Sequence, residues 1–302
     1  MKVKIIFLVV VGIVFLGELL LTGESLADDS LIQKLPSGDI DWSEGVVRAG
    51  GTGMPSPHTE TPSPEAAAKN LNAALNMAYA NLLATVNAIR IDADASVADR
   101  MYSDAAFREG VTTLARNAPI SHREDLPDGT LEIELTMKLT GGFGQFVLPG
   151  EIRQVETVTT VTGVTPEKEG IANPAAPEKD TPYSGLIINA AGIRAKPALV
   201  PIIVDESGEI VYGPAFVSRE FVVSRGMSGF ATTLEGARTD RRVGKHPMVV
   251  KAIRSRSSET TDIVIANADA ARLRSSVAHL DFLKACRVCI VMDPETNLPQ
   301  EN

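Results

Sequence analysis

The most regular alternation of hydrophobic and polar positions lies in TLEIELTMKL, residues 130–139. Leucine, isoleucine or methionine occupies every second position from Leu131 to Leu139, and a period of two is typical of a half-buried strand. PDG, a turn signal, directly precedes this segment. The pattern therefore predicts a strand whose partner across the turn is APISH, which contains Ile120.

A different period, of three and four residues, begins after Pro64 and predicts a long helix. The apolar positions that form its stripe are Leu71, Leu75, Ala78, Leu82, Val86 and Ile89. Alanine dominates this helix, which favours close packing against a sheet. A shorter helix is predicted to start at Ser103 or Asp104, where a small polar cap precedes AAFREGVTTLA. Residues 38–148 thus predict a compact α+β unit.

Short apolar runs separated by turn residues fill the second half of the chain. Two of them flank Asp205-Glu206-Ser207-Gly208, which predicts a hairpin with Gly208 at its turn. PMVVKAI, TDIVIA and RVCIVMD predict further strands. NADAARLRSSVAHLDFLKA predicts one helix that starts at Asn267 or Asp269, with Leu273, Val277, Leu280 and Leu283 on one face. The fold class predicted for the whole chain is α+β, with two small mixed-sheet domains.

The apolar periodicity fades between the two halves, in TPEKEGIANPAAPEKDTP. Proline, glutamate and lysine give this segment too little apolar surface to order itself, which favours a linker. The predicted domains are therefore 38–150 and 183–295, with the linker at 151–182. A long ordered insertion inside a single domain remains the alternative.

The amino terminus has the pattern of a secretory signal peptide, residues 1–27. Lys2 and Lys4 precede an apolar run, and the small-residue exit Ser25-Leu26-Ala27 follows it. Glu18 interrupts the run, whereas an uncleaved membrane anchor, the alternative, needs about 20 apolar residues. We expect cleavage after Ala27, no transmembrane helix in the mature form, and a periplasmic or outer-membrane-associated protein.

The net charge bears on the class of partner, and the cysteine content bears on the presence of a disulfide. The formal net charge of −9 argues against a nucleic-acid partner, because nucleic-acid-binding proteins usually present a basic face. Cys286 and Cys289 are the only cysteines, and residues three apart on a strand point to opposite faces. Two packed core thiols are therefore expected, with a disulfide as the alternative in an oxidising compartment.

The glycine string at Gly45, Gly50, Gly51 and Gly53 resembles a phosphate-binding loop only superficially. A Walker loop ends in GK[ST], and a dinucleotide loop opens a helix directly, but Met54-Pro55 follows Gly53. We predict instead a strand, SEGVVRAGGTG, whose glycines allow either a bulge or close approach of the alanine-rich helix.

The sequence also does not match the motifs of other metal-binding or catalytic sites. DADASVAD lacks the glycine and glutamate of a calcium loop, RGMSGF misses the nucleophile-elbow spacing, and the four histidines are scattered. No catalytic residue, metal site or cofactor is predicted, and the protein is expected not to be an enzyme. Two alternatives remain: a hydrolase whose polar residues converge only in the fold, and a module that binds a small ligand between its domains.

One local concentration of charge qualifies as a candidate binding site. Its members lie within ARTDRRVGKHP and are Arg238, Arg241, Arg242 and Lys245. On an acidic chain, such a patch would attract a carboxylate-rich or phosphate-rich partner. The alternative is an ordinary solvated loop.

Three segments together resemble a known family: DWSEGVVRAGGTG, ANLLATVNAIRIDADASV and DGTLEIELTMKLTG. Over residues 38–148 they are similar to the Lpp-twenty-like family of small membrane-associated lipoproteins and to the amino-terminal module of flagellar assembly protein T. Residues 181–293 are similar to an extension found on exported bacterial relatives.

The resemblance implies an exported envelope protein with no family active site to carry over. This chain lacks a lipidation cysteine, which puts membrane anchoring in doubt. The function expected from the resemblance is that of a non-enzymatic adaptor or structural component of the cell envelope, with an envelope or flagellar protein as partner.

Overall fold

The computed structural model describes residues 29–54, 63–152, 182–256 and 261–294. The predicted signal peptide lies outside these ranges, as does the predicted linker apart from residues 151, 152 and 182. Within the described ranges, the strands form two sheets, and no helix there is long and apolar enough to cross a membrane.

The first sheet is antiparallel throughout, with the strand order β1-β2-β3-β5-β4. The elements of this half are β1 (Ile32–Leu35), β2 (Gly38–Asp41), β3 (Val46–Gly53), α1 (Pro64–Asn87), α2 (Val97–Ser103), α3 (Ala105–Arg116), β4 (Ile120–Asp125), β5 (Leu131–Lys138) and α4 (Gly142–Val147). The predicted alternating strand and its partner across the turn are confirmed as β5 and β4.

Both predicted helices of the first half are confirmed. α1 begins after Ser63, whose side chain accepts a hydrogen bond from the Ala66 amide at 3.1 Å, as an N-cap residue does. Ala78, Leu82 and Val86 of its stripe are completely buried. α3 begins after Asp104, which accepts from the Phe107 amide at 3.0 Å.

The glycines of β3 lie directly beneath α1. A Cβ atom added to Gly51 would stand 2.3 Å from the carbonyl oxygen of Ala74 and from the amide nitrogen of Ala78. A Cβ added to Gly53 would meet the carbonyl oxygen of Asn70 at 2.2 Å. The prediction of a glycine strand that admits an alanine-rich helix is therefore confirmed.

The second sheet is mixed, with the order β8-β7-β11-β10-β6-β12-β9. Its half of the chain contains β6 (Gly185–Asn189), β7 (Ile203–Asp205), β8 (Ile210–Tyr212), α5 (Arg219–Arg225), β9 (Gly229–Ala231), α6 (Leu234–Thr239), β10 (Pro247–Ser255), β11 (Ile263–Ile265), α7 (Asn267–Arg274), α8 (Val277–Lys284) and β12 (Val288–Val291). The central strands β10, β6, β12 and β9 run parallel, and the predicted α+β fold class is confirmed.

The predicted hairpin is confirmed by β7 and β8, which pair antiparallel around Gly208 at φ 86°. The prediction of a single helix over 267–285 is wrong. α7 ends before Ser275, and Ser276 is extended at φ −140° and ψ 137°, so α8 starts as a separate helix. The Ser275 hydroxyl bonds the carbonyl of Arg272 at 2.7 Å, an alternative to helix continuation that serine offers.

The break between α7 and α8 also changes which side chains face the core. Val277 and Leu280, predicted on one face with Leu273 and Leu283, are 75% and 42% exposed. Phe282 and Leu283 are buried in their place. The four apolar residues therefore do not form one continuous face with a 3.6-residue period, because the chain turns between α7 and α8.

Of the two cysteine alternatives, the structure shows packed thiols. Cys286 precedes β12 and lies in the main hydrophobic core, whereas Cys289 lies within β12 in a small cluster with Ile187 and Val291. Both cysteines are buried and free. The two thiols lie in different hydrophobic clusters, but the predicted strand includes only Cys289, because Cys286 precedes β12 with φ 55°.

The two halves are not separate bodies joined only through a linker. One continuous hydrophobic core contains residues from both sheets, from Leu31 to Met292. Trp42 packs edge-on against Phe230 with ring centroids 5.6 Å apart. The amide of Val200 donates to the carbonyl of Ile91 at 2.8 Å, so backbone hydrogen bonds also join the domains.

Candidate functional site

The four residues of the predicted basic patch lie at the end of α6 and in the turn that leads to β10. Arg238, Arg241 and Lys245 are exposed. Arg242 differs from these three, because its side chain is only 15% exposed. The sequence pattern did not distinguish Arg242 from its neighbour, since both stand in a run of charged residues.

Arg242 is tied to the protein itself. Its guanidinium donates to the carbonyl oxygens of Gly226 at 3.2 Å and Cys286 at 3.3 Å, and also to the carbonyl of Arg225. The carboxylate of Asp240 lies 3.8 Å from its Nε. Arg242 therefore joins the end of α5, the turn after α6 and the segment that leads into β12. The surface available to a partner consists of Arg238, Arg241 and Lys245.

A second candidate site lies between the two domains, where a cleft encloses about 1060 Å³. Residues 91–94, Arg100 and residues 149–151 contribute one wall from the first domain. Val200 and Ile202 belong to the other wall, from the second domain. The cleft depends on the packing of the two domains, so neither domain forms it alone.

The first-domain wall is held in shape by local hydrogen bonds. Asp92 accepts the amides of Asp94 and Ala95 at 2.9 Å each, the pattern of an Asx turn. Immediately beyond, Ser96 and Asp99 form a capping box that starts α2. This arrangement leaves the side chain of Asp94 exposed at the cleft.

Asp262 faces this wall from the start of β11. Its side chain is only 7% exposed, and its Oδ2 lies 3.5 Å from Nη1 of Arg256. Its Oδ1 is buried and has no hydrogen-bond partner in the described part of the chain. Burial raises the pKa of Asp262; Arg256 opposes that shift, and the negative charges of Asp94 and Asp92 add to it.

The arginines of the cleft already have partners within the protein. Arg100 donates to the carbonyl of Val147 at 2.8 Å, and its guanidinium carbon lies 4.3 Å from the ring centroid of Phe107. Arg256 pairs with Asp262. These two cations therefore stabilise the cleft walls, and the negative charge of Asp94 and Glu151 is left facing solvent in the cleft.

The two cysteines and His279 are residue types that act as nucleophiles or metal ligands in other proteins, but here they are buried in the protein interior. Burial raises the pKa of Cys286 to about 11 and that of Cys289 to about 12, so both are thiols at neutral pH. His279 is buried, with Nδ1 2.9 Å from the carbonyl of Arg272. Within the described residues, no group of three histidine, cysteine or acidic residues is placed to hold a metal ion.

Asp92 and Asp94, on one wall of the acidic cleft, lie in a segment that the sequence motif search considers. Asp262, on the other wall, lies in no such segment. DADASVAD does not match a calcium loop, but its Asp92 and Asp94 line the cleft. Asp262 stands directly before a buried strand, in TDIVIA, far away along the chain. An acidic residue followed by three consecutive buried apolar residues was a local signal, but nothing in the sequence paired it with Asp94.

Part of the chain matches one model of a protein family. Residues 185–294 match a family model described as the second domain of Treponema pallidum Tp0624. These residues contain every strand and helix from β6 to β12. The description identifies the domain by its position in that protein and states no activity, and no curated protein matches the chain.

Proposed function

We propose that this protein is an exported, non-enzymatic component of the bacterial cell envelope that binds an anionic partner as an adaptor or structural element. Its place would be the periplasm or the periplasmic side of the outer membrane, with a flagellar assembly component as one candidate partner. The signal-like residues 1–27 support export. The resemblance of residues 38–148 to Lpp-twenty-like proteins and to flagellar assembly protein T supports the envelope setting.

The observation that carries the proposal is the anchored basic turn. Arg238, Arg241 and Lys245 are exposed on a chain of net charge −9, and Arg242 fastens the turn between them to the core. Cations held on a fixed segment lose less side-chain and backbone entropy on binding than cations on a mobile loop. The patch is therefore suited to an acidic protein surface.

Export is tested separately from partner binding. Mass spectrometry of the protein purified from its host should find a mature amino terminus at Asp28, in the periplasmic or outer-membrane fraction. A protein that retains residues 1–27 and stays in the cytoplasm would contradict the proposed location.

Partner binding is tested by mild cross-linking in the host, followed by mass spectrometry of the cross-linked peptides. We expect defined envelope proteins to be recovered with wild type and to be lost with the triple variant Arg238→Glu/Arg241→Glu/Lys245→Glu. The matched control is Lys69→Glu/Arg108→Glu/Lys138→Glu, which reverses three exposed charges of the first domain. Equal recovery from both variants would remove the patch from the proposal.

A second candidate function is the binding of a small ligand in the interdomain cleft. The volume of about 1060 Å³ is slightly above the roughly 300–1,000 Å³ usual for ligand sites, which commonly lie between domains. A thermal-shift screen across amines, organic acids, sugars and phosphates tests it. Stabilisation by one chemical class supports it, and an unchanged midpoint with every class contradicts it.

A further inference from the structure

β4 is an edge strand of the first sheet. Among the described strands it pairs only with β5, and all six of its residues, Ile120–Asp125, are exposed. Its outer side therefore faces no described strand. An edge of this kind presents unpaired backbone N–H and C=O groups to any strand that can align with it.

The ladder between β4 and β5 shows which backbone groups are open. The amide of Leu126 donates to the carbonyl of Thr130 at 2.8 Å, and hydrogen-bonded pairs alternate along an antiparallel ladder. The backbone of Glu124, two residues earlier, is therefore turned towards β5. The backbones of Arg123 and Asp125 are turned away from β5, where a further strand can reach them.

The side chains at these two open positions have opposite charges. Arg123 and Asp125 lie on the same face of β4, with Nη2 and a carboxylate oxygen 3.4 Å apart. The irregularity in the ladder lies earlier, between Ile120 and His122, so residues 123–125 pair regularly. Lysines on an edge keep sheets apart, whereas a strand with one charge of each sign can complement a second copy of itself.

We propose that β4 pairs antiparallel with β4 of a second copy of this chain, with Arg123 opposite Asp125 and Glu124 on the two-fold axis. Residues whose backbones face each other in such a ladder exchange both of their N–H···O bonds. Symmetry repeats the pair, so arginine lies opposite aspartate twice, which is a favourable cross-strand combination.

The resulting dimer uses the same patch on both copies and is closed by its two-fold symmetry. It joins two five-stranded sheets into one continuous sheet. The interface lies in the first domain, far along the chain from Arg238, Arg241 and Lys245, so the proposal does not depend on the anionic partner.

Glu124 distinguishes this register from other pairings of the same edge. On the two-fold axis its side chain stands directly opposite that of the second copy, and like charges in that position are destabilising. Neutralising Glu124 should therefore strengthen the dimer, whereas reversing the charge of Arg123 or Asp125 should weaken it.

The test is sedimentation equilibrium of the mature chain over a range of concentrations. The pairing segment is short and small interfaces bind weakly, so we expect a monomer–dimer equilibrium with a Kd on the order of 0.1 mM. Arg123→Asp and Asp125→Arg should each weaken the dimer about tenfold, because each places like charges opposite one another twice. The combined swap Arg123→Asp/Asp125→Arg should restore wild-type affinity, and Glu124→Gln should strengthen it about threefold.

The matched control is Arg108→Asp, which makes the same charge change at an exposed position on α3 and should leave the dimer unchanged. Far-ultraviolet circular dichroism checks that each variant is folded. The swap keeps the net charge of wild type, so its recovery separates strand pairing from general attraction between charged proteins.

A cross-link tests the register directly. Opposed residues that are not hydrogen-bonded have Cα atoms about 4.5 Å apart, within the range of a disulfide. Glu124→Cys should therefore give a covalent dimer on mild oxidation, whereas Glu109→Cys, at an exposed position on α3, should not. Cys286 and Cys289 are buried and do not compete.

A chain that stays monomeric up to about 1 mM, a concentration at which this affinity gives mostly dimer, would overturn the proposal. A dimer that the charge variants leave unchanged, or that Glu109→Cys traps as readily as Glu124→Cys, would also overturn it. Another surface would then hold the two copies together.

Discussion

Arg241 and Arg242 are neighbours in the sequence with opposite roles in the structure. Arg241 is exposed to solvent, whereas the guanidinium of Arg242 donates to three carbonyl oxygens from two segments of the second domain. A charge run in a sequence gives no indication of this difference, because it depends on which carbonyls lie within reach of each side chain.

We predict that Arg242→Ala lowers the free energy of unfolding by about 2–3 kcal/mol, since it removes hydrogen bonds from a charged donor and leaves the carbonyl of the buried residue Cys286 without this partner. Arg241→Ala should change it by no more than about 0.5 kcal/mol, as surface substitutions usually do. Urea unfolding of the two variants measures both values. Similar losses in the two variants would contradict the structural role of Arg242.

The buried thiols predict both reactivity and pH dependence. With the pKa of Cys286 raised to about 11 and that of Cys289 to about 12, iodoacetamide should modify neither in the native protein at pH 8, and both after unfolding. The unfolded thiols ionise at lower pH than the native ones, so stability should fall as pH rises above about 9. Rapid alkylation of the native protein would contradict this burial.

At the scale of elements, the approach of α1 to β3 decides the packing of the first domain. Gly50 and Gly51 are adjacent, yet a Cβ on Gly50 would find its nearest neighbour at 3.7 Å, in ordinary contact, whereas one on Gly51 would meet α1 backbone atoms at 2.3 Å. Backbone cannot move aside as a flexible side chain can, so the whole helix must shift.

Gly51→Ala is therefore predicted to destabilise the protein by about 1–3 kcal/mol through overpacking, and Gly50→Ala to change stability by less than about 1 kcal/mol. Thermal unfolding of the pair gives the comparison. If Gly51→Ala proved as stable as Gly50→Ala, close helix–sheet contact at this glycine would be wrong.

Periodicity predicted the elements that are long and have a single face towards the core. The stripe of α1 and the alternation of β5 were readable because each element packs along its whole length on one layer. The pattern failed at α7 and α8, where Ser275 and Ser276 interrupt a sequence that otherwise continues a helical stripe. That interruption follows from a local hydroxyl–carbonyl bond and from tertiary packing of Phe282, neither of which hydrophobic spacing records.

At the scale of the whole molecule, shared core packing predicts cooperative unfolding. Trp42 is the single tryptophan and contacts Phe230 of the other domain, so its fluorescence reports the interface. We expect its urea transition to coincide with loss of far-ultraviolet circular dichroism from both domains, as a two-state unit shows. Two separated transitions would mean that the domains unfold independently.

The candidate sites differ in how far the sequence revealed them. The basic patch was visible because its residues are contiguous, although the internal role of Arg242 was not. The acidic cleft was hidden because Asp94 and Asp262 come together only when two domains pack, and a local motif has no information about that distance. A site formed between domains requires tertiary structure before its charges can be counted together.

The contacts of Asp29 impose an order on assembly. Its backbone carbonyl accepts the amide of Thr232 at 3.0 Å, and its side chain accepts the hydroxyl of Thr233 at 2.6 Å. Ser43 likewise donates to the carbonyl of Phe230 at 2.6 Å. Because the chain is synthesised from its amino terminus, Asp29 is made long before its partners, so these bonds can form only once the chain has been made to about residue 233.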